Sequence, residues 1–145
     1  MKYKGKTLKK GTDYKVIYNK YSKEPGRCFL YVKGINQYCG KVKLYYNIKP
    51  AQSKVTSLRS PKKKAIKLKW KRDKVVDGYQ ILVSYNKNFK KKAKTVIIKK
   101  NSVTAKTVTG LKSGKRCYVK MRAYKLVEGK KLYGKCSKTR SIVCK

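Results

Sequence analysis

The chain has 145 residues, of which 43 are Lys or Arg and 5 are Asp or Glu, so its formal net charge is +38 with no histidine at all. That length fits one domain or two small ones, and 40% apolar residues with 13 tyrosines supply a core where high charge alone would give disorder. Without histidine there is no Ser-His or Cys-His nucleophile pair, no imidazole acid–base chemistry and no His-ligated metal.

In chain order the dominant pattern has a period of two, the mark of half-buried strands. Cys28, Leu30 and Val32 share a face opposite Phe29, Tyr31 and Lys33, and a later strand ends at Ile48. The stretch Lys49-Pro50-Ala51-Gln52-Ser53 marks a boundary, because Pro50 holds the residue before it extended. Charge does not divide there: residues 1–50 carry 13 basic and 2 acidic residues and the remainder 30 and 3, so the charge belongs to the whole surface and not to a tail. Ile66, Leu68 and Trp70 alternate with Lys67, Lys69 and Lys71. Tyr79, Ile81 and Val83 oppose Gln80, Leu82 and Ser84. Segment 86–94 reads as a basic loop anchored by Phe89. Val96 with Ile98 marks another strand, Val119, Met121 and Ala123 alternate with Tyr118, Lys120 and Arg122, and Ile142 with Cys144 marks the last. Turn sequences separate the runs: Glu24-Pro25-Gly26, Lys33-Gly34-Ile35-Asn36, Asp77-Gly78, Lys112-Ser113-Gly114-Lys115 and Glu128-Gly129-Lys130. Short strands punctuated this way predict an all-β sandwich or barrel. The expected core of the second segment is Val55, Leu58, Ile66, Leu68, Trp70, Tyr79, Ile81, Val83, Val96, Ile98, Val108, Leu111, Val119, Met121, Ala123 and Ile142, with Trp70 at its centre.

The chemistry-bearing residues are few. The acids are Asp13, Glu24, Asp73, Asp77 and Glu128. Asp73 and Asp77 are close enough for paired-carboxylate hydrolysis, but a turn with solubilising acids is the preferred reading. No glycine-rich phosphate loop is present, and neither enzymatic activity, cofactor nor metal is expected. Cys28, Cys39, Cys117, Cys136 and Cys144 show no CxxC spacing. They read either as small buried hydrophobes on strands or as one disulfide with thiols left over. Arg is confined to Arg27, Arg59, Arg72, Arg116, Arg122 and Arg140, and every other basic residue is Lys. Arg reads phosphates and bases bidentately, whereas a lysine surface makes a diffuse field. No apolar stretch follows the basic start, and no run approaches the roughly 20 apolar residues of a membrane-spanning helix. The chain is therefore either intracellular or a piece of a longer exported protein.

Several motifs occur in a fixed order: Val55 to Leu58, Trp70, Gly78-Tyr79-Gln80-Ile81, Gly110-Leu111-Lys112-Ser113-Gly114, Tyr118 to Tyr124, and Tyr133-Gly134-Lys135. On these, residues 53–145 resemble a fibronectin type III domain, of the lysine-rich kind found in tandem in surface proteins of anaerobic Gram-positive bacteria. The resemblance implies a seven-stranded β-sandwich. It usually places a Tyr six residues after the turn Leu, where its hydroxyl pins the corner; here that position is Cys117, with Tyr118 beside it. The corner bond is then absent, or a bulge re-aims Tyr118. Cys136 stands where relatives often carry Trp, which hints at a compensating disulfide with Cys117. A hairpin centred on Glu128 or Gly129 argues against it, setting Cys117 opposite Thr139 to Ser141. Residues 1–50, through Leu8-Lys9-Lys10-Gly11-Thr12-Asp13-Tyr14, Gly26, Val32 to Gly40 and Tyr46-Asn47-Ile48, resemble the second half of a bacterial Ig-like repeat. Such a half-sandwich is expected to expose an apolar face and an unpaired edge. Residues 51–52 then form the linker.

The resemblance implies a non-enzymatic structural or interaction module, a spacer or adhesion-type element of an exported bacterial cell-surface protein. It would be extracellular or cell-surface, with no signal peptide in this sequence. Its partners would be cell-wall polymers or other domains of a longer parent chain. The alternative is a polyanion-binding protein for teichoic acid, acidic glycan or nucleic acid. Candidate contacts are Lys62, Lys63, Lys64, Lys67, Lys69, Lys71, Lys90, Lys91 and Lys92, with Tyr31, Tyr45, Tyr118 and Tyr124 as exposed stacking rings. Lysine on an outer sheet face is also the ordinary way to solvate it. Non-specific polyanion binding is expected at low salt, and specific nucleic-acid recognition is not.

Overall fold

The computed structural model describes residues 1–19, 23–90 and 93–145. The chain divides into two compact units, Met1–Ile48 and Lys49–Lys145. Every regular element among the described residues is a β-strand.

In the first unit, β1 (Lys2–Tyr3) and β2 (Lys6–Thr7) form a hairpin whose turn, Lys4-Gly5, has positive φ at both residues. That is the twist a two-residue hairpin requires. Then β3 (Tyr14–Tyr18), β4 (Gly26–Gly34) and β5 (Lys41–Ile48) make a three-stranded antiparallel sheet in that order. Cross-strand partners lie on the same face. One face therefore carries Cys28, Leu30 and Val32 of β4 beside Tyr46, Leu44 and Val42 of β5 and Tyr18 and Val16 of β3. Cys28 and Val32 are buried with Leu8, while Val42 is 49% and Leu44 45% exposed. Asp13 accepts the Lys9 N–H at 2.8 Å, and Asn36 donates to the Thr12 carbonyl, joining the 9–13 turn to the β4–β5 loop.

The second unit is a two-sheet sandwich. Its strands are β6 (Val55–Arg59), β7 (Ile66–Trp70), β8 (Gly78–Ser84), β9 (Lys94–Ile98), β10 (Ala105–Val108), β11 (Arg116–Val127), β12 (Lys130–Tyr133) and β13 (Arg140–Val143). One sheet runs β10-β7-β6; the other runs β12-β11-β8-β9, with β13 also on β11. The seven expected strands become eight segments because the last is broken into β12 and β13. The break inserts two residues of slack: Tyr124 pairs with Tyr133, but Cys117 pairs with Ile142. Ile142 lies just past the Thr139–Ser141 window expected from an uninterrupted hairpin. Gly134 sits in the break, where a Cβ would press on the Pro50 carbonyl.

The sandwich core holds Ile66, Leu68, Trp70, Tyr79, Ile81, Val83, Val108, Leu111, Val119, Met121 and Ala123, as their alternation implies. Leu58, Val96 and Ile142 are only partly buried against it. Val76, Cys117 and Cys144 belong to the core as well, although the expected core omitted them. Tyr124 is a correction to the exposed rings: it is only 2% exposed. Strand alternation puts it on the outer face, yet it lies opposite side-chain-less Gly78, stacks edge-on with Tyr133 and donates its hydroxyl to the Ile98 carbonyl at 3.3 Å.

Candidate polyanion-binding surfaces

In the sandwich the two ends differ in charge. At one end lie the loops 71–77, 99–104 and 128–129, and they contain the unit's acids, Asp73, Asp77 and Glu128. Asp73 accepts the Val75 N–H at 3.1 Å, which makes it a turn residue. Asp77 accepts the Leu126 N–H at 2.6 Å and pairs with Lys125 at 3.0 Å, so it braces the β11–β12 hairpin. The 126–132 tip is that hairpin's connection, with positive φ at Glu128 and Gly129.

The opposite end contains no acidic residue in its loops 60–65, 85–93 and 109–115. Backbone bonds gather them. Lys64 N–H donates to the Lys145 carbonyl at 2.6 Å, and Leu111 N–H donates to the Lys64 carbonyl at 3.1 Å. Ser60 Oγ accepts the Lys145 N–H. The Tyr85 hydroxyl accepts the Lys112 N–H at 2.8 Å, and Lys94 Nζ reaches the Thr109 carbonyl. Lys62, Lys63 and Lys64 thus share an end with Lys112, Lys115 and Lys145, and residues 85–90 follow β8 at that same end. Lys91 and Lys92 lie outside the described residues.

Tyr85 also settles the missing corner. The β11 register is regular through Cys117 and Tyr118, so no bulge re-aims Tyr118. Instead a tyrosine from the end of β8 pins the 110–114 turn. Cys117 is fully buried, and burial, with Cys144 nearby, raises its thiol pKa above the ordinary value. Cys117, Cys136 and Cys144 carry free thiols. Cys136 lies in the break, its carbonyl accepting from Gln52, and does not pair with Cys117.

Lys67 and Lys69 stand on the outer face of β7 and are exposed, with Lys71 just beyond the strand. Their cross-strand neighbours are Thr107 and Arg59 for Lys67, and Ala105 and Ser57 for Lys69. Ser57, Arg59, Lys67 and Lys69 line a shallow depression with Pro61. The stripe and the lysine-rich end are thus two surfaces, one on a face and one at a tip. No cluster of three or more metal-ligating side chains occurs among the described residues.

The first unit holds a surface that the lysine count did not single out. The second face of β3–β4–β5 bears Lys15, Lys33 and Lys41 side by side across the three strands. The next rung is Ile17, Tyr31 and Lys43, then Phe29 with Tyr45, then Arg27 with Asn47. Cations cap the rings. Lys41 Nζ is 3.7 Å from the Tyr31 centroid, Lys43 Nζ is 4.0 Å from Phe29 and 5.2 Å from Tyr45, and the Arg27 guanidinium carbon is 4.3 Å from Tyr45. Phe29 is inclined 75° to Tyr31 and 65° to Tyr45. Of the proposed stacking rings, Tyr45 is exposed, and Tyr31 and Tyr118 are half-buried. The signal was present in the alternations Arg27-Phe29-Tyr31-Lys33 and Lys41-Lys43-Tyr45, but only the pairing register shows that they share one face.

Neither a family model nor a curated protein matches the chain. Solved structures do match it in fold. The FN1–FN3 domains of chicken CNTN1 align over 85% of this chain at 20% identity, with a TM-score of 0.55. This chain spans 42% of that structure's length. A myokine structure matches over 66% of this chain and 98% of its own at 16% identity and a TM-score of 0.52. A human fibronectin type III domain, derived from the KIAA0970 protein, matches over 63% of this chain and 72% of its own at 15% identity and a TM-score of 0.50. The fold is all-β and fibronectin type III-like.

Proposed function

We propose that the chain is a non-enzymatic structural or interaction module, of spacer or adhesion type, belonging to an exported bacterial cell-surface protein. The observation that carries this reading is where the chain enters and leaves the sandwich. Lys54 accepts from Lys71 N–H at the end that holds the acidic loops, whereas Cys144 and Lys145 bond to Gly114, Lys115 and Lys64 at the lysine-rich end. Entry and exit are therefore separated by the length of the strands, about 20 Å for a strand of six or seven residues. A module with ends so placed extends a tandem chain instead of folding it back. The resemblance of residues 1–50 to part of a bacterial Ig-like repeat fits the same arrangement.

The second reading, polyanion binding, draws on the acid-free end and on the lysine-rich outer faces. The two separate by charge reversal under a salt titration against teichoic acid, an acidic glycan and single- and double-stranded DNA. For a spacer, reversing Lys67, Lys69 and Lys71 to Glu weakens binding no more than reversing Lys62, Lys63 and Lys64, because only total charge counts. A loss confined to one of these clusters would make the sandwich itself a binding domain.

A further inference from the structure

The outer face of β3–β4–β5 combines features that solvation alone does not require. Like charges directly opposite one another destabilise a sheet, yet Lys15, Lys33 and Lys41 occupy one rung. None of the ten residues on the four rungs is acidic. Lys41 of that rung, and Lys43 and Arg27 farther along, rest on aromatic rings, which fixes their stems and reduces the freedom a ligand must remove. The rings are not a stacking floor. Their faces are taken by the face's own cations, and Phe29 is steeply inclined to both of its neighbours.

Spacing narrows the ligand. The Lys41 ammonium lies over Tyr31 and the Lys43 ammonium over Phe29, two residues apart on β4, while Arg27 lies beside Lys43 on the same rung, over Tyr45. Two residues of strand advance about 7 Å. Six bonds of an extended backbone also span about 7 Å, twice the reach of a three-bond residue. A phosphodiester polymer with a six-bond repeat therefore brings one charge to Lys41 and the next to the Lys43–Arg27 pair, in register. A glycan with one carboxylate per pair of sugars spaces its charges more widely.

We propose that this face binds a linear polyol phosphate polymer, gripping one phosphodiester with Lys41 and the next with Lys43 and Arg27, and gaining nothing from nucleobases. The proposal rests on the polyanion-binding reading and places its site in the first unit. The test titrates the full chain with poly(glycerol phosphate), with oligothymidylate of equal phosphate count and with poly(glutamate) of equal charge, at about 0.15 M salt. The polyol phosphate is expected to bind at least as tightly as oligothymidylate and more tightly than poly(glutamate). The triple change Arg27→Gln, Lys41→Gln, Lys43→Gln is expected to weaken it about tenfold and to flatten its log–log salt slope by about two. The control Lys67→Gln, Lys69→Gln, Lys71→Gln is expected to change it by about twofold or less. Tyr31→Leu, which frees Lys41 from its ring without removing charge, is expected to weaken binding by a few-fold. Equal losses from the two triples would overturn the site while leaving generic polyanion binding standing. Oligothymidylate binding more than about tenfold tighter would overturn the choice of polymer, because its bases would then be stacking. Binding of none of the three polymers would overturn this site and the polyanion reading together, and leave the spacer.

Discussion

Gly78 opens β8 opposite Tyr124, and the sandwich is built around its missing side chain. A Cβ placed there meets the Ile98 carbonyl oxygen and lies 2.7 Å from Tyr124 Oη and 2.8 Å from Cζ. The backbone conformation itself is one that alanine adopts, so the cost of Gly78→Ala is one of space. The carbonyl belongs to β9, so relieving that contact shifts the β8–β9 backbone, and Tyr124 must swing away as well. Overpacking costs about 1–3 kcal/mol, and the Tyr124 hydroxyl bond to Ile98 adds about 0.5–1.5 kcal/mol. The sum, about 1.5–4.5 kcal/mol, lowers the melting temperature of a domain of this size by about 6–35 °C. The assay is unambiguous because Trp70 is the chain's single tryptophan and is 3% exposed in the sandwich core, so its fluorescence reports this unit alone. In a Tyr124→Ala background the same Gly78→Ala change should cost less by about 1 kcal/mol, since the ring atoms it strikes are gone. A Gly78→Ala melting temperature within about 2 °C of wild type would refute the packing argument.

Trp70→Ala should cost about 3–5 kcal/mol. Trp70→Phe should cost much less, because the indole N–H has no hydrogen-bond partner among the described residues and the edge contact with Tyr79 survives; equal losses in denaturant titration would contradict this. Tyr85→Phe removes the hydroxyl that holds Lys112 N–H and should cost about 1 kcal/mol; an unchanged melting temperature would return the corner to some other support. A thiol reagent at neutral pH should label exposed Cys39 at once and Cys117 and Cys144 only on unfolding. Burial holds the Cys117 thiol protonated in the folded state, so the unfolded state loses its proton first. Stability should therefore be unaffected by this group at neutral pH and fall as pH rises above the ordinary thiol value of about 8.5, with Cys117→Val flattening that fall. With a net charge of +38, melting temperature should rise with salt as self-repulsion is screened, and a flat dependence would show the charges to be too far apart to matter.

The sandwich was legible in sequence wherever one face is buried and the other wet. Ile66-Lys67-Leu68-Lys69-Trp70 shows both its strand and its orientation, because any one-residue slip would bury lysine. Tyr124 was not legible, since its burial depends on Gly78 in another strand and on Tyr133 across a hairpin. Cys117 and Cys144 were missed as core for a related reason. A cysteine on a strand is compatible with packing, pairing or ligation, and only the register setting Cys117 against Ile142 separates these. The break between β12 and β13 was hidden because two residues of slack leave the alternation on either side intact.

The lysine clusters were the most visible feature of the sequence, yet visibility is a poor guide to a site. Lys69 faces Ala105 and Ser57 across the sheet, and Lys67 faces Thr107 and one like charge, Arg59, so no rung there carries three cations. In the first unit Lys33 stands between Lys15 and Lys41, its Cβ about 5 Å from that of each. That separation is well inside the screening length of about 8–10 Å at ordinary ionic strength, so salt only partly relieves the repulsion. An anionic ligand relieves it further, and the same contact then contributes to affinity. The run Lys62-Lys63-Lys64 sits on the turn between β6 and β7, where no neighbouring strand adds cations beside it in register. The scattered residues 15, 33, 41 and 43 converge because a sheet brings distant segments into register. Density along the chain and density in space are therefore different quantities, and a polymer responds to the second.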